Sequence, residues 1–168
     1  TYDLEWLKKN YDFLMDVADY WDFDLLKNRE IRPNGSYRYV VVNSAPMEGA
    51  NNDRFNGITG IAFLQRFYKG MIDITNELNK CGFNTGKNEK DLSQWNDYLL
   101  NMSEYPKSYA YGRKVFAWSE QSLNPILTQQ DWILYPVFPT EQVNLSSDPD
   151  LLKVARNTLI IKPQYYVE

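Results

Sequence analysis

Histidine is missing altogether from the 168 residues. Its absence removes the commonest general base, every Ser-His and Cys-His nucleophile pair, and the commonest metal ligand. A single cysteine, Cys81, excludes an internal disulfide and a cysteine-rich zinc site. Long apolar runs are missing too: the stretch from Tyr39 to Val42 is among the longest, far short of a bilayer span. Positive charge is in deficit, with a net charge of −4 and a pI near 4.9. An acidic surface repels phosphate, which makes nucleic acid and anionic membrane poor partners. Any acid–base chemistry therefore rests on Asp, Glu, Lys or Tyr, and a neutral substrate such as a sugar is compatible.

What is present is an ordinary globular balance, 43% apolar and 24% charged, in a length that suits one domain. Aromatics reach 15%, with thirteen Tyr, eight Phe and five Trp. Rings at this density serve helix packing, or line a groove that stacks on sugar faces. With Thr1 rather than Met in front, the chain reads as processed, trimmed or excised.

Apolar spacing predicts a first helix over Tyr2 to Trp21, with Asp3 as its cap and Leu4, Leu7, Tyr11, Leu14, Val17, Ala18 and Trp21 inward. Asn34-Gly35 signals a turn, and Ser36 to Val42 follows as a strand of a short hairpin. A long polar loop, Asn43 to Asn56, comes next and holds Pro46, Glu48 and Asp53. Loops of this kind often carry function. Helices are expected from Ile58 to Lys80, stopped by Gly82, and from Lys90 to Met102 behind an Asn88 cap. Tyr105 to Gln142 reads as extended loops with short strands around Val115 to Trp118. A last helix starts near Pro149, capped by Ser147 or Asp148, with Leu151, Leu152, Ala155 and Leu159 inward and Pro163 at its end. Helices joined by long, aromatic, proline-bearing loops suit an α/α barrel better than a tight bundle.

Several stretches, taken in order, resemble the catalytic (α/α)6 toroid of the inverting α-L-fucosidase class, glycoside hydrolase family 95, and its relatives. That family carries a Ser-Pro-Glu-Asn loop after a short strand pair. The similar stretch here is Ser44-Ala45-Pro46-Met47-Glu48-Gly49-Ala50-Asn51, with one residue between Pro46 and Glu48. Leu92 to Tyr105 resembles a tryptophan-bearing helix and its exit. Gly112 to Gln121 resembles a Gly-x-h-x-Glu-Trp segment: Trp118 fits, Ala117 stands where glutamate is often found, and Glu120 lies two residues on. Leu134-Tyr135-Pro136-Val137-Phe138-Pro139, followed by the helix with Ala155-Arg156, resembles a tyrosine-proline loop leading into an Ala-Arg helix. Two departures stand out. Gln129-Gln130-Asp131-Trp132 replaces a histidine-rich segment, and the family's general base, an aspartate downstream of this last helix, has no counterpart.

The resemblance implies a mainly α fold over residues 1–168, part of an (α/α)6 toroid with a short β-hairpin and long inter-helix loops, in a fragment or divergent member. It implies inverting hydrolysis of a glycosidic bond, a fucoside or galactoside in an oligo- or polysaccharide, with no cofactor and no metal. Glu48 inherits the general-acid role. Asn51 and Asn52 would hydrogen-bond sugar hydroxyls, or form an Asx turn with Asp53. Trp118, Trp132, Tyr135 and Tyr111 are candidate stacking rings or core residues. Glu120 and Asp131 would line a subsite or carry surface charge. The resemblance favours a secreted or periplasmic protein whose open helix faces contact the rest of the parent chain or a second copy. The alternative is a non-catalytic helical domain that binds glycans or proteins.

Overall fold

The computed structural model describes residues 3–42, 55–121 and 131–161. The fold is mainly α: helices α1 (Leu4–Lys27), α2 (Ile58–Lys80), α3 (Glu89–Asn101) and α4 (Pro149–Ile161) are accompanied by two small antiparallel hairpins. The first hairpin pairs β1 (Glu30–Ile31) with β2 (Tyr37–Arg38), and the second pairs β3 (Lys107–Ala110) with β4 (Arg113–Phe116). None of the described helices is long and apolar enough to cross a membrane.

Two compact units emerge. The first comprises Thr1–Tyr39 and Phe67–Met102, the second Val40–Arg66 and Ser103–Glu168. In the first unit, Asp3 caps α1 by accepting from the Trp6 amide, as expected. The helix continues six residues beyond Trp21, because Leu25 adds a further buried turn in register with Leu7, Tyr11 and Ala18. The Tyr11 hydroxyl meets Thr75 Oγ1 at 2.7 Å, a buried bond between α1 and α2. α2 has the predicted bounds, and Gly82, at φ +76°, ends it. The Phe83 amide donates to the Leu78 carbonyl and the Gly82 amide to that of Asn79, the paired bonds of a Schellman motif. Asn88 and Asp91 form a reciprocal capping box at the start of α3. Trp95 and Tyr98 are the residues that α3 buries. The turn at Asn34-Gly35 forms, yet pairing stops at Arg38, well short of Val42. Tyr39 leaves the hairpin and bridges to Met102 instead, its amide donating to the Asn101 carbonyl.

The second unit holds a hairpin that begins upstream of the short strands expected around Val115 to Trp118. Tyr111 and Gly112 both have positive φ, 48° and 69°, the requirement of a two-residue type I′ turn, and so β3 pairs with β4 in close register. α4 packs on this hairpin. Ala110, Val115 and Ile161 cluster, the Phe116 amide donates to Thr158 Oγ1, and Asn157 Nδ2 donates to the Lys114 carbonyl. Asp148 caps α4, accepting from the Asp150 and Leu151 amides. The inward face of α4 is Val154, Ala155, Asn157, Thr158 and Ile161; Leu159 is exposed. The polar Asn157 and Thr158 displace the leucine because their side chains satisfy the strand's backbone groups. A 3₁₀ turn, Asp131–Leu134, adds the buried Ile133.

Candidate functional site

The predicted site residues divide sharply. Glu48, Asn51 and Asn52, together with Asp53, lie outside the described residues. The chain on either side of them is fixed within the second unit. Val42 pairs antiparallel with Phe55. The Asn56 amide donates to the Val41 carbonyl at 2.7 Å, and its Oδ1 accepts from the Val41 amide at 2.9 Å. Asn56 adopts φ +52°, a left-handed conformation that asparagine tolerates better than most residues. The described residues on either side of that segment, Val42 and Phe55, therefore lie side by side.

Trp118 and Glu120 are attached to that same point. The Ile58 amide, at the first turn of α2, donates to the Trp118 carbonyl at 2.8 Å. The Glu120 amide donates to the Phe55 carbonyl at 3.3 Å. Tyr135 reaches the next turn of α2, its ring edge-on to Phe63 at 5.5 Å. Three sequence-predicted residues, Trp118, Glu120 and Tyr135, thus gather around the start of α2. Trp132 is half-buried in the 3₁₀ turn that precedes Tyr135, and Tyr111 stands apart, exposed at the tip of the β3–β4 hairpin.

Burial changes what these rings can do. Trp118 is only 3% exposed, so its faces pack against protein. Among the described residues its Nε1–H finds no acceptor, and neither does Asn56 Nδ2. A buried donor without a partner costs about 1–3 kcal/mol, and such groups persist where something else compensates. Tyr105, also buried, donates to Gln65 Oε1, and burial drives its hydroxyl far above the ordinary tyrosine range.

No protein-family model matches the chain, and a search of curated proteins finds no relative.

Two carboxylates of the first unit escaped the reading of the sequence. Asp97, on α3, accepts from the hydroxyls of Tyr37 at 2.7 Å and Tyr39 at 2.6 Å, and from Asn101 Nδ2 at 2.8 Å. Burial pulls its carboxyl up, but those three bonds and the nearby Arg29 guanidinium outweigh it and hold Asp97 below its usual value. The same pair pushes the Tyr39 hydroxyl up to about 12, through burial first and then its bond to the carboxylate. Asp22, on α1, accepts from the Tyr68 hydroxyl at 2.7 Å and from Trp95 Nε1 at 3.4 Å. Burial dominates there and raises its carboxyl. Tyr39, Tyr98 and Tyr68 connect the two sites ring to ring, at 4.8 and 5.0 Å. The available signal was the density of tyrosine around Asp97, but nothing in the spacing pairs residues 58 positions apart. Among the described residues no cluster of His, Cys, Asp and Glu is arranged to hold a metal ion.

Proposed function

We propose that the chain is part of the catalytic domain of an inverting glycoside hydrolase, a segment of an (α/α)6 toroid. Glu48 protonates the departing glycosidic oxygen, and a carboxylate from elsewhere in the protein activates water. Inverting chemistry separates two such carboxyls by about 6.5–9.5 Å, leaving room for that water. The substrate is a neutral oligo- or polysaccharide, a fucoside or galactoside by resemblance, and it needs neither metal nor cofactor.

The supporting observation is the stitching of the second unit. Val42, on one flank of the Glu48 segment, pairs with Phe55 on the other, and Phe55 and Ile58 are tied to the Trp118–Glu120 stretch by backbone hydrogen bonds. Two of the stretches that carry the resemblance, around Trp118 and Tyr135, therefore meet near the start of α2, in the same unit as the residues that flank the Glu48 segment. The test is Glu48→Gln in the full-length protein, assayed on aryl fucosides, aryl galactosides and oligosaccharides. A lost general acid lowers kcat on poor leaving groups by roughly 10²–10⁴-fold. Unchanged hydrolysis of every substrate refutes the assignment.

One observation favours the second reading, a helical domain that binds glycans or proteins without cleaving them. The ring of Trp118 is buried and presents no open face for stacking on a sugar, which favours the protein-binding form of that reading. Under that reading the parent protein hydrolyses nothing, and Glu48→Gln leaves its affinity for oligosaccharide unchanged.

A further inference from the structure

α1 has two apolar faces and the first unit buries only one. Leu7, Tyr11, Ala18 and Leu25 point inward. On the other side Trp6, Phe13 and Tyr20 are 55%, 66% and 63% exposed, and Phe23 and Leu26 extend the exposed apolar surface toward the C-terminal end. The first three recur every seven residues, so they form a nearly straight stripe with a ring about every 10.5 Å along the axis. Five large hydrophobic side chains exposed on one helix exceed the scattered single residues that a free surface carries without consequence.

Charge identifies the occupant. Between Lys9 and Lys27, α1 carries Asp12, Asp16, Asp19, Asp22 and Asp24 and no basic residue. Asp22 turns inward to Tyr68 and Asp24 bonds Asn28. Asp12, Asp16 and Asp19 stay exposed beside the stripe, three and four residues apart. Asp19 faces Lys87 at 3.8 Å, whereas Asp12 and Asp16 have no cationic partner among the described residues. Like charges at this spacing repel within the helix. A partner that carries positive charge alongside an apolar seam relieves that repulsion and covers the rings together. A second copy of α1 fails the same criterion, since either orientation sets aspartates against aspartates.

We propose that this face of α1 docks an amphipathic helix of a partner protein, one whose apolar stripe is flanked by Lys and Arg. The probe is a designed helical peptide with a leucine stripe and lysine flanks, compared by titration calorimetry with a glutamate-flanked twin and with a scrambled peptide of the lysine composition. The expected result is binding of the lysine-flanked helix at least tenfold tighter than either control. Phe13→Ala with Tyr20→Ala, both at exposed positions, should lower that affinity at least tenfold, and Asp12→Lys with Asp16→Lys should transfer the preference to the glutamate-flanked peptide. Equal binding of the two flanked peptides overturns the proposal, as does binding that survives loss of the rings. Concentration-dependent dimerisation abolished by Phe13→Ala also overturns it, by making a second copy the occupant.

Discussion

Replacing Asp97 by alanine tests whether the β1–β2 hairpin is held to α3 by charge. The carboxylate takes three side-chain hydrogen bonds, two of them from tyrosines on and just after β2. A hydrogen bond to a charged group contributes about 1.5–3 kcal/mol, but bonds that share one acceptor are not additive and the site is partly wet. Tyr39, only 1% exposed, loses the carboxylate that accepts its proton, while the Gln94 Nε2–H continues to donate to the same hydroxyl. The net expectation is a loss of about 2–3 kcal/mol at pH 7, roughly a hundredfold in the unfolding constant. The sign with pH is set by the lowered carboxyl. Its stabilisation is complete above the unfolded value near 3.9 and is lost as pH falls through the folded value. The gap between the original chain and Asp97→Ala therefore shrinks from pH 7 to pH 3. Asp97→Asn, which keeps the volume and one accepting oxygen, should fall between the two. Urea denaturation followed by circular dichroism measures the gap. Amide exchange at Tyr39, whose N–H donates to the Asn101 carbonyl, reports the same loosening locally. A gap below about 0.5 kcal/mol at pH 7, the range of an ordinary surface substitution, refutes the reasoning, and so does a gap independent of pH.

The other perturbations are simpler. Asp22→Asn should become progressively more stable relative to the original chain as pH rises above about 4, because the raised carboxyl costs stability as it ionises; urea midpoints across pH 4–8 show it. Asp22→Ala strands the buried Tyr68 hydroxyl and should cost about 1–3 kcal/mol in the same measurement. Thr158→Val removes the acceptor of the Phe116 amide, so β4 should loosen from α4 with a loss of about 1–3 kcal/mol and faster amide exchange at Phe116. Gly82→Ala meets no atom within 4 Å, so its cost is the left-handed backbone alone, about 1–2 kcal/mol by thermal denaturation.

Local chemistry determined most of the helices. Asp3, Asn88 and Asp148 cap because a short polar side chain can reach amides two or three residues on, and Gly82 stops α2 because only glycine turns left-handed without penalty. Each of these interactions closes within a few residues, and so it is visible in the sequence. The extension of α1 to Lys27 and the choice of Thr158 over Leu159 for the inner face of α4 were decided by partners far along the chain. The same holds for the site. The sequence singled out Trp118, Glu120 and Tyr135 one at a time. Their meeting at the first turns of α2, the burial of the Trp118 ring, and the opposite electrostatic settings of Asp22 and Asp97 depend on contacts that form only once the chain has folded. Hydrogen bonding within a turn is a property of neighbours in sequence, whereas desolvation and long-range pairing are properties of neighbours in space.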